Sequence, residues 1–381
     1  MMKAATLGIL GGGQLAKMLA SEAYRLGLNV SIIEGHPDSP AGKMTKMDFG
    51  KGWDNAEELQ SFLDSSNFIT LENEFIDPDL LAQLETQKTV FPSSNTMRLV
   101  RDKLIQKRTF NKSGIETTIF EEIANLEDAK SFGNRYGYPF ILKSRELGYD
   151  GYGNQKIEDE NKIAQALDYF NKNKAGIKLM AEAYVPFVKE LAVMTSRSSN
   201  NEEATYPCVE TIQENQVCRT VIAPADIDEE IAQKAQEVAR RCVRSISGIG
   251  VFGVEFFLTH DGDLLVNEIA PRPHNSGHYT IEACVTSQFE NCIRAVTGMP
   301  LGSADMKTKA AVMVNLLGDA KGSAVPNGVT ELLQDNDIKL HLYGKGEAKV
   351  GRKMGHITIT GNDRDEIVSK AQNVFKKISW K

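Results

Sequence analysis

Glu255 and Glu268 are the side chains in this chain whose types and spacing best suit chemistry. They lie on two apolar runs, 252–258 and 264–269, separated by His260-Asp261-Gly262-Asp263. The runs are aromatic and β-branched, and Asp-Gly between them is hairpin-turn chemistry. A turn centred on Asp261-Gly262 brings Glu255 opposite Asn267 or Glu268, so two acids and an amide converge. A hard cation relieves that repulsion, and Mg²⁺ accepts one or two carboxylates plus substrate phosphate oxygens. The bland reading is a surface hairpin with two solvated glutamates. Immediately beyond stands Ala270-Pro271-Arg272-Pro273-His274-Asn275-Ser276-Gly277-His278, whose prolines impose an extended path. Arg272, His274, Asn275, Ser276 and His278 thereby become polar groups on a stiff loop next to the candidate metal pair.

Other residues suit phosphate. Lys143 ends the apolar run 138–143, and Gly148, Gly151 and Gly153 follow in the turn 144–154. Their backbone N–H groups could close over a phosphate chain. Because 155–157 reads as a returning strand, this is a hairpin flap, not a Walker loop, which needs Gly-Lys-Ser/Thr before a helix. A flexible surface hairpin is the plainer alternative. Lys103 shares a basic helical run with Arg98, Arg101, Lys107 and Arg108, a pattern that is ordinarily a solvated face. Residues 181–186 read as a hinge whose backbone could meet a purine edge while Glu190 accepts from ribose hydroxyls; a solvated linker is the default. Lys345, Arg352 and Lys353 on a glycine-rich turn offer a seat for a substrate phosphate, although solvated loop cations are commoner.

The elements that must position these residues follow from periodicity. Residues 4–10 form a strand, Gly11-Gly12-Gly13 leads into a helix over 14–26, and 29–33 is a second strand ending at Glu34. Gly11-x-Gly13-x-x-Ala16 with Glu34 about 20 residues on satisfies the dinucleotide fingerprint. Many glycine-rich turns hold other anions, or only let a helix pack tightly. The run 68–71 continues the parallel pattern, with Glu72 and Glu74 at its end as ligand contacts or helix-capping acids. Further strands are expected at 177–180, 191–196, 209–222 and 311–317, with helices at 227–247 and 280–296. The formal net charge of −7 and the absence of a basic stripe argue against a nucleic-acid partner. No apolar run approaches the roughly 20 residues of a membrane helix. Three consecutive glycines interrupt the first apolar segment, so a domain start is expected there and not a signal peptide. The five cysteines lack any Cys-x-x-Cys pair and read as reduced packing residues of a cytoplasmic protein.

Taken in order, Lys143, the Gly148–Gly153 flap, the Glu182–Glu190 hinge and the Glu255, Asn267-Glu268 hairpin resemble an ATP-grasp ligase. Gly11-Gly12-Gly13-Gln14-Leu15, Gly148-Tyr149-Asp150-Gly151, the run from Asn267 to His278, and Gly351-Arg352-Lys353-Met354-Gly355-His356 are similar to the 5-(carboxyamino)imidazole ribonucleotide synthetases of purine biosynthesis. The similarity spans nearly the whole chain, and the run Ala270–His278 is its most specific part. It implies an α/β and α+β architecture: a Rossmann-like βαβ domain over 1–97, an ATP-grasp lid over 98–186, and a metal and catalytic domain with a small β-rich extension over 187–381. It implies ATP-dependent carboxylation of 5-aminoimidazole ribonucleotide by bicarbonate through carboxyphosphate, with ATP and Mg²⁺, in a homodimer. Glu255 and Glu268 would hold Mg²⁺, assisted by Asn267, and Lys103 and Lys143 would offset phosphate charge. ATP would be covered by Gly148, Tyr149, Asp150, Gly151, Tyr152, Gly153 and Asn154. Its adenosine would meet Glu182, Ala183, Tyr184, Val185, Glu190 and Gln213. Arg272 would stabilise carboxyphosphate beside His274 and Asn275, and Gln14, Glu74, Lys345, Arg352 and Lys353 would hold the ribonucleotide. The chain departs from the usual pattern at Ala16-Lys17, Leu71, Asn73, Tyr152 and Asn154. Competing readings are a formate-dependent glycinamide ribonucleotide transformylase, an NAD-dependent oxidoreductase built on Gly11–Ala16 and Glu34, and a catalytically silent nucleotide-binding regulator.

Overall fold

The computed structural model describes residues 5–146, 153–173 and 176–381. Among these, three sheets and a small two-stranded ribbon organise the chain. The first is parallel, in the spatial order Met47–Phe49, Asn29–Ile33, Thr6–Leu10, Phe68–Leu71, Thr89–Val90. Thr6–Leu10 is buried at every position, as expected of a parallel strand covered on both faces. The second sheet is antiparallel and runs Phe120–Ile123, Leu179–Ala183, Phe140–Ser144, Asn154–Ile157.

The third sheet carries the acidic hairpin at one edge. Leu264–Ala270 pairs with Gly250–Thr259, which pairs with Phe187–Arg197, followed by Val209–Glu214, Val217–Ala223, Ala310–Leu317, Lys353–Gly361 and Ile338–Leu342. Its buried face packs on the first sheet: Phe252, Val254, Phe256 and Val266 share one core with Leu10, Ile69 and Leu71. The ends of the first sheet's strands and the hairpin are therefore held in one rigid, close-packed body. No helix among the described residues is long and apolar enough to cross a membrane.

Two expected helices are each two. The basic run breaks into Ser94–Val100 and Lys103–Lys112, because Asp102 turns its carboxylate onto the N–H groups of Leu104 and Ile105 and starts a new helix. The expected helix over 280–296 breaks into Thr280–Ala283 and Gln288–Thr297, with Ser287 capping the N–H of Glu290. Both breaks start a new helix within two residues of a side chain that matters below, Lys103 and Gln288.

Candidate active site

The hairpin does not close as a regular ladder. Leu258 pairs with Leu264 and Phe256 with Val266, but a bulge follows and Glu255 pairs with Glu268. A regular ladder would have put Asn267 opposite Glu255; the bulge makes Asn267 the extra residue and sets the two acids face to face. The Asn267 amide donates to Glu255 at 3.3 Å, and its own oxygen is buried without a partner among the described residues. Lys103 donates to Glu268, and His274 Nε2 lies 3.4 Å from Glu255. Burial, and then the charges of Glu268 and Glu190, pushes the Glu255 carboxyl up. Burial works in the same direction on Glu268, but Lys103 holds it low.

Two opposed carboxylates and an orphaned amide oxygen are hard oxygen donors of the kind Mg²⁺ takes. Among the described residues no group of three or more His, Cys, Asp or Glu is arranged to hold a metal. The pair therefore fits an ion that draws its remaining oxygens from phosphates and water, and does not fit a cage that binds metal unaided.

Around this pair the lysines are fixed by ion pairs. Arg145 forks onto Asp102 at 2.5 and 3.0 Å, and its backbone oxygen accepts from the N–H of Lys103 at 2.8 Å. Lys143 donates to Glu182 at 3.1 Å. Lys107, absent from the candidates above, is 2 % exposed and reaches Thr118 at 3.0 Å and Glu182 at 3.5 Å. Burial pulls its ammonium down to about 8. The available signal was its position four residues after Lys103, on the same helix face. Glu182 lies on Leu179–Ala183, and its side chain faces these lysines and Thr118.

Ala183 donates its N–H to Ile119 at 2.9 Å, while the exposed ring of Tyr184 lies under Lys156 at 5.0 Å. Val185 accepts from the N–H of Phe187 at 3.0 Å. Glu190 and Gln213 come together across neighbouring strands, where burial raises the Glu190 carboxyl and a hydrogen bond from Gln213 opposes it. Gly148, Tyr149, Asp150, Gly151 and Tyr152 lie outside the described residues. Gly153 has φ +95°, and Asn154 pairs with Lys143.

The opposite wall comes from the first sheet. Arg272 holds Glu74 through Nε and, at 2.8 Å, through a terminal nitrogen. Burial alone would raise the Glu74 carboxyl, yet Arg272 holds it down at about 2. His274 is neutral, lowered to about 4 by burial and then by the charges of Arg272 and Lys353. Asn275 has a buried amide nitrogen without a partner among the described residues. Gln14 opens the helix Gln14–Arg25. Lys17 donates to Leu342 at 2.8 Å and Lys43 to Gly344 at 3.4 Å, tying the first sheet's helices to the turn that bears Lys345. Lys345 lies over the Tyr343 ring at 5.8 Å, and Lys353 begins the strand Lys353–Gly361. Arg352 instead donates to the backbone of Glu347 at 2.9 Å.

The competing dinucleotide reading finds no support here. Glu72 accepts from the N–H groups of Gly13 at 2.6 Å and Ala16 at 3.0 Å, and Glu34 accepts from Gly12 at 3.1 Å. The helix N-terminus that a pyrophosphate would need is already filled by the chain's own carboxylates, which would also repel it. The spacing around Gly11–Ala16 could not reveal this, because Glu72 arrives from a different strand.

Comparison with known proteins finds relatives along nearly the whole chain. Residues 2–101 match the ribonucleotide synthetase preATP-grasp domain, 108–289 the ATP-grasp domain, and 311–370 the phosphoribosylaminoimidazole carboxylase C-terminal domain. The N5-carboxyaminoimidazole ribonucleotide synthase of Bacillus subtilis is 37% identical over 97% of this chain and 95% of its own. The phosphoribosylaminoimidazole carboxylase of Ogataea methanolica is 40% identical over 94% of this chain and 67% of its own length. Among solved structures, the N5-carboxyaminoimidazole synthase of Aspergillus clavatus in complex with ADP and 5-aminoimidazole ribonucleotide superposes with a TM-score of 0.90. That protein is 34% identical, with 99% of each chain covered. The enzyme from Thermotoga maritima gives 0.86 at 38% identity, covering 98% of this chain and 99% of that one.

Proposed function

The chain belongs to the N5-carboxyaminoimidazole ribonucleotide synthase family of ATP-grasp ligases, and from that premise we infer that it carboxylates 5-aminoimidazole ribonucleotide with bicarbonate at the expense of ATP. The observation that carries the reading is the register slip that sets Glu255 against Glu268 beside Lys103. Bicarbonate is a poor electrophile. Transfer of the γ-phosphoryl group to its oxygen gives carboxyphosphate and ADP; attack by the substrate amine then forms the carbamate and releases phosphate.

Positioning and charge neutralisation dominate such a transfer. Lys103 and Lys143 offset phosphate charge, Glu190 and Gln213 receive the ribose end of ATP, and backbone over 182–185 meets adenine. Glu255 and Glu268, with Asn267, would hold Mg²⁺, which when bound neutralises phosphate oxygens and orients the transfer. Arg272 places its positive charge beside carboxyphosphate, next to His274 and Asn275. Glu74 and Gln14 face the ribonucleotide, and Lys345, Arg352 and Lys353 take its phosphate. The acyl phosphate must form where water is excluded.

The corresponding division of labour is substrate capture by 1–97, nucleotide cover by 98–186, and metal binding and catalysis by 187–381. A homodimer in the cytoplasm completes the reading, consistent with five free cysteines and no disulfide among the described residues. The test is phosphate release with 5-aminoimidazole ribonucleotide in the presence and absence of bicarbonate. Bicarbonate-dependent carbamate formation supports the reading. Turnover only with glycinamide ribonucleotide and formate overturns it.

A further inference from the structure

We propose that Gln288 is a positioning residue for this reaction: its side-chain amide fixes the backbone of His274 and selects the tautomer of His278. Gln288 is fully buried, at the first turn of Gln288–Thr297. Its Oε1 accepts from the backbone N–H of His274 at 2.9 Å, and its Nε2 donates to the backbone carbonyl of the same residue at 2.8 Å. A backbone N–H can only donate and a carbonyl can only accept, so the amide has one permitted orientation. Its Nε2 also lies 3.0 Å from Nδ1 of His278. Nδ1 must then be the acceptor, and the neutral ring of His278 carries its proton on Nε2.

The surrounding structure is shaped for this contact. A Cβ on Gly277 would stand 2.5 Å from Gln288 Oε1, so only glycine leaves room for the amide. The backbone N–H of Gln288 bonds Thr280 Oγ1 at 2.9 Å, and that hydroxyl donates to the carbonyl of Gly277 at 2.6 Å. One residue therefore ties down both ends of the segment 274–277.

The arrangement extends in two directions. Toward the metal pair, Ser276 N–H donates to His274 Nδ1 at 3.4 Å, leaving Nε2 to face Glu255. Toward the C-terminal strands, the His278 ring meets His356 at 5.0 Å; His356 stacks on His341 at 4.3 Å, and His341 Nε2 lies 2.7 Å from Glu282. Burial, reinforced by the positive charges around it, keeps the His278 ring neutral. Gln288 thus couples the loop bearing Arg272 and His274 to the strands bearing Lys353, which is how a residue that touches no substrate sets the geometry of those that do.

The kinetic half of the test rests on the function proposed above; the tautomer does not. In ¹⁵N-histidine-labelled wild-type protein, long-range proton–nitrogen correlation, assigned by comparison with His278→Asn, should show His278 with a bare Nδ1 and a protonated Nε2. Gln288→Met keeps roughly the volume and removes every side-chain hydrogen bond while leaving the backbone bond to Thr280. It should lower kcat by about tenfold or more while KM for ATP stays within about twofold, since misplaced reacting groups affect the chemical step and not nucleotide binding. Gln288→Glu keeps the acceptor for His274 N–H but loses the donor, and should shift the His278 nitrogen signals toward the doubly protonated ring. A proton on His278 Nδ1 in the wild type, or wild-type kcat in Gln288→Met, overturns the proposal. If the wild type itself releases no phosphate, the assigned reaction fails, while the tautomer is still read without turnover.

Discussion

Glu74→Gln tests the ion pair that joins the first sheet to the loop 271–278. The Glu74 carboxyl is held at about 2 against an ordinary 4.5, a difference that corresponds to at most about 3 kcal/mol of stabilisation. Both partners keep some contact with water, with side-chain exposures of 25 and 17 %, so about 2 kcal/mol is the working figure. In a chain of 381 residues that is a loss of about 2–3 °C in Tm at neutral pH. The sign follows from the depressed carboxyl: its stabilisation is complete above pH 4.5 and is lost as pH falls toward 2. Any cost of leaving Arg272 with a neutral partner is independent of pH over this range. The gap in Tm between wild type and Glu74→Gln should therefore be widest at pH 7 and shrink by more than half by about pH 3. Thermal melts followed by circular dichroism at the two pH values measure it. An equal gap at both would show that the ion pair contributes nothing through its charge and that Arg272 does not hold the Glu74 carboxyl down.

Glu268→Gln should lower phosphate release by about a hundredfold or more with the circular dichroism spectrum unchanged; wild-type turnover would remove the carboxylate from the reaction. Gly253→Ala places a Cβ 2.6 Å from the Cβ of His274, so kcat should fall by about tenfold while ATP affinity by calorimetry stays constant. An unaltered kcat would refute the close approach. Cys208, Cys242, Cys284 and Cys292 are buried, and burial pushes the thiols of Cys208, Cys284 and Cys292 up to about 12. Thiol titration of the native protein should therefore modify no residue faster than Cys218, and a second rapid thiol would contradict the packing.

The local geometry of the acidic hairpin could be read in the sequence because a turn fixes it. Asp261-Gly262 fixes a hairpin, and a hairpin fixes which residues oppose Glu255 to within one position. The choice between Asn267 and Glu268 was not legible: it depends on a bulge, and nothing in the residues 264–268 announces one. The two helix breaks were missed for a related reason. Asp102 and Ser287 suit a cap, yet each stands inside a run whose periodicity favours one continuous helix. Tertiary pairings were harder still. Arg272 with Glu74, Lys107 with Glu182, and Gln288 with His274 and His278 join residues whose proximity depends on how separate sheets and helices pack. Side-chain type alone named the acid and the cation, but not that they would meet.

The carboxylate of Glu72 carries a consequence beyond ruling out one cofactor. A group tethered to the chain is never diluted, so dinucleotides in a cell compete at Gly13 and Ala16 against an occupant that is always at hand. A glycine-rich turn whose spacing suits a dinucleotide is closed to one by two internal acids, Glu72 and Glu34.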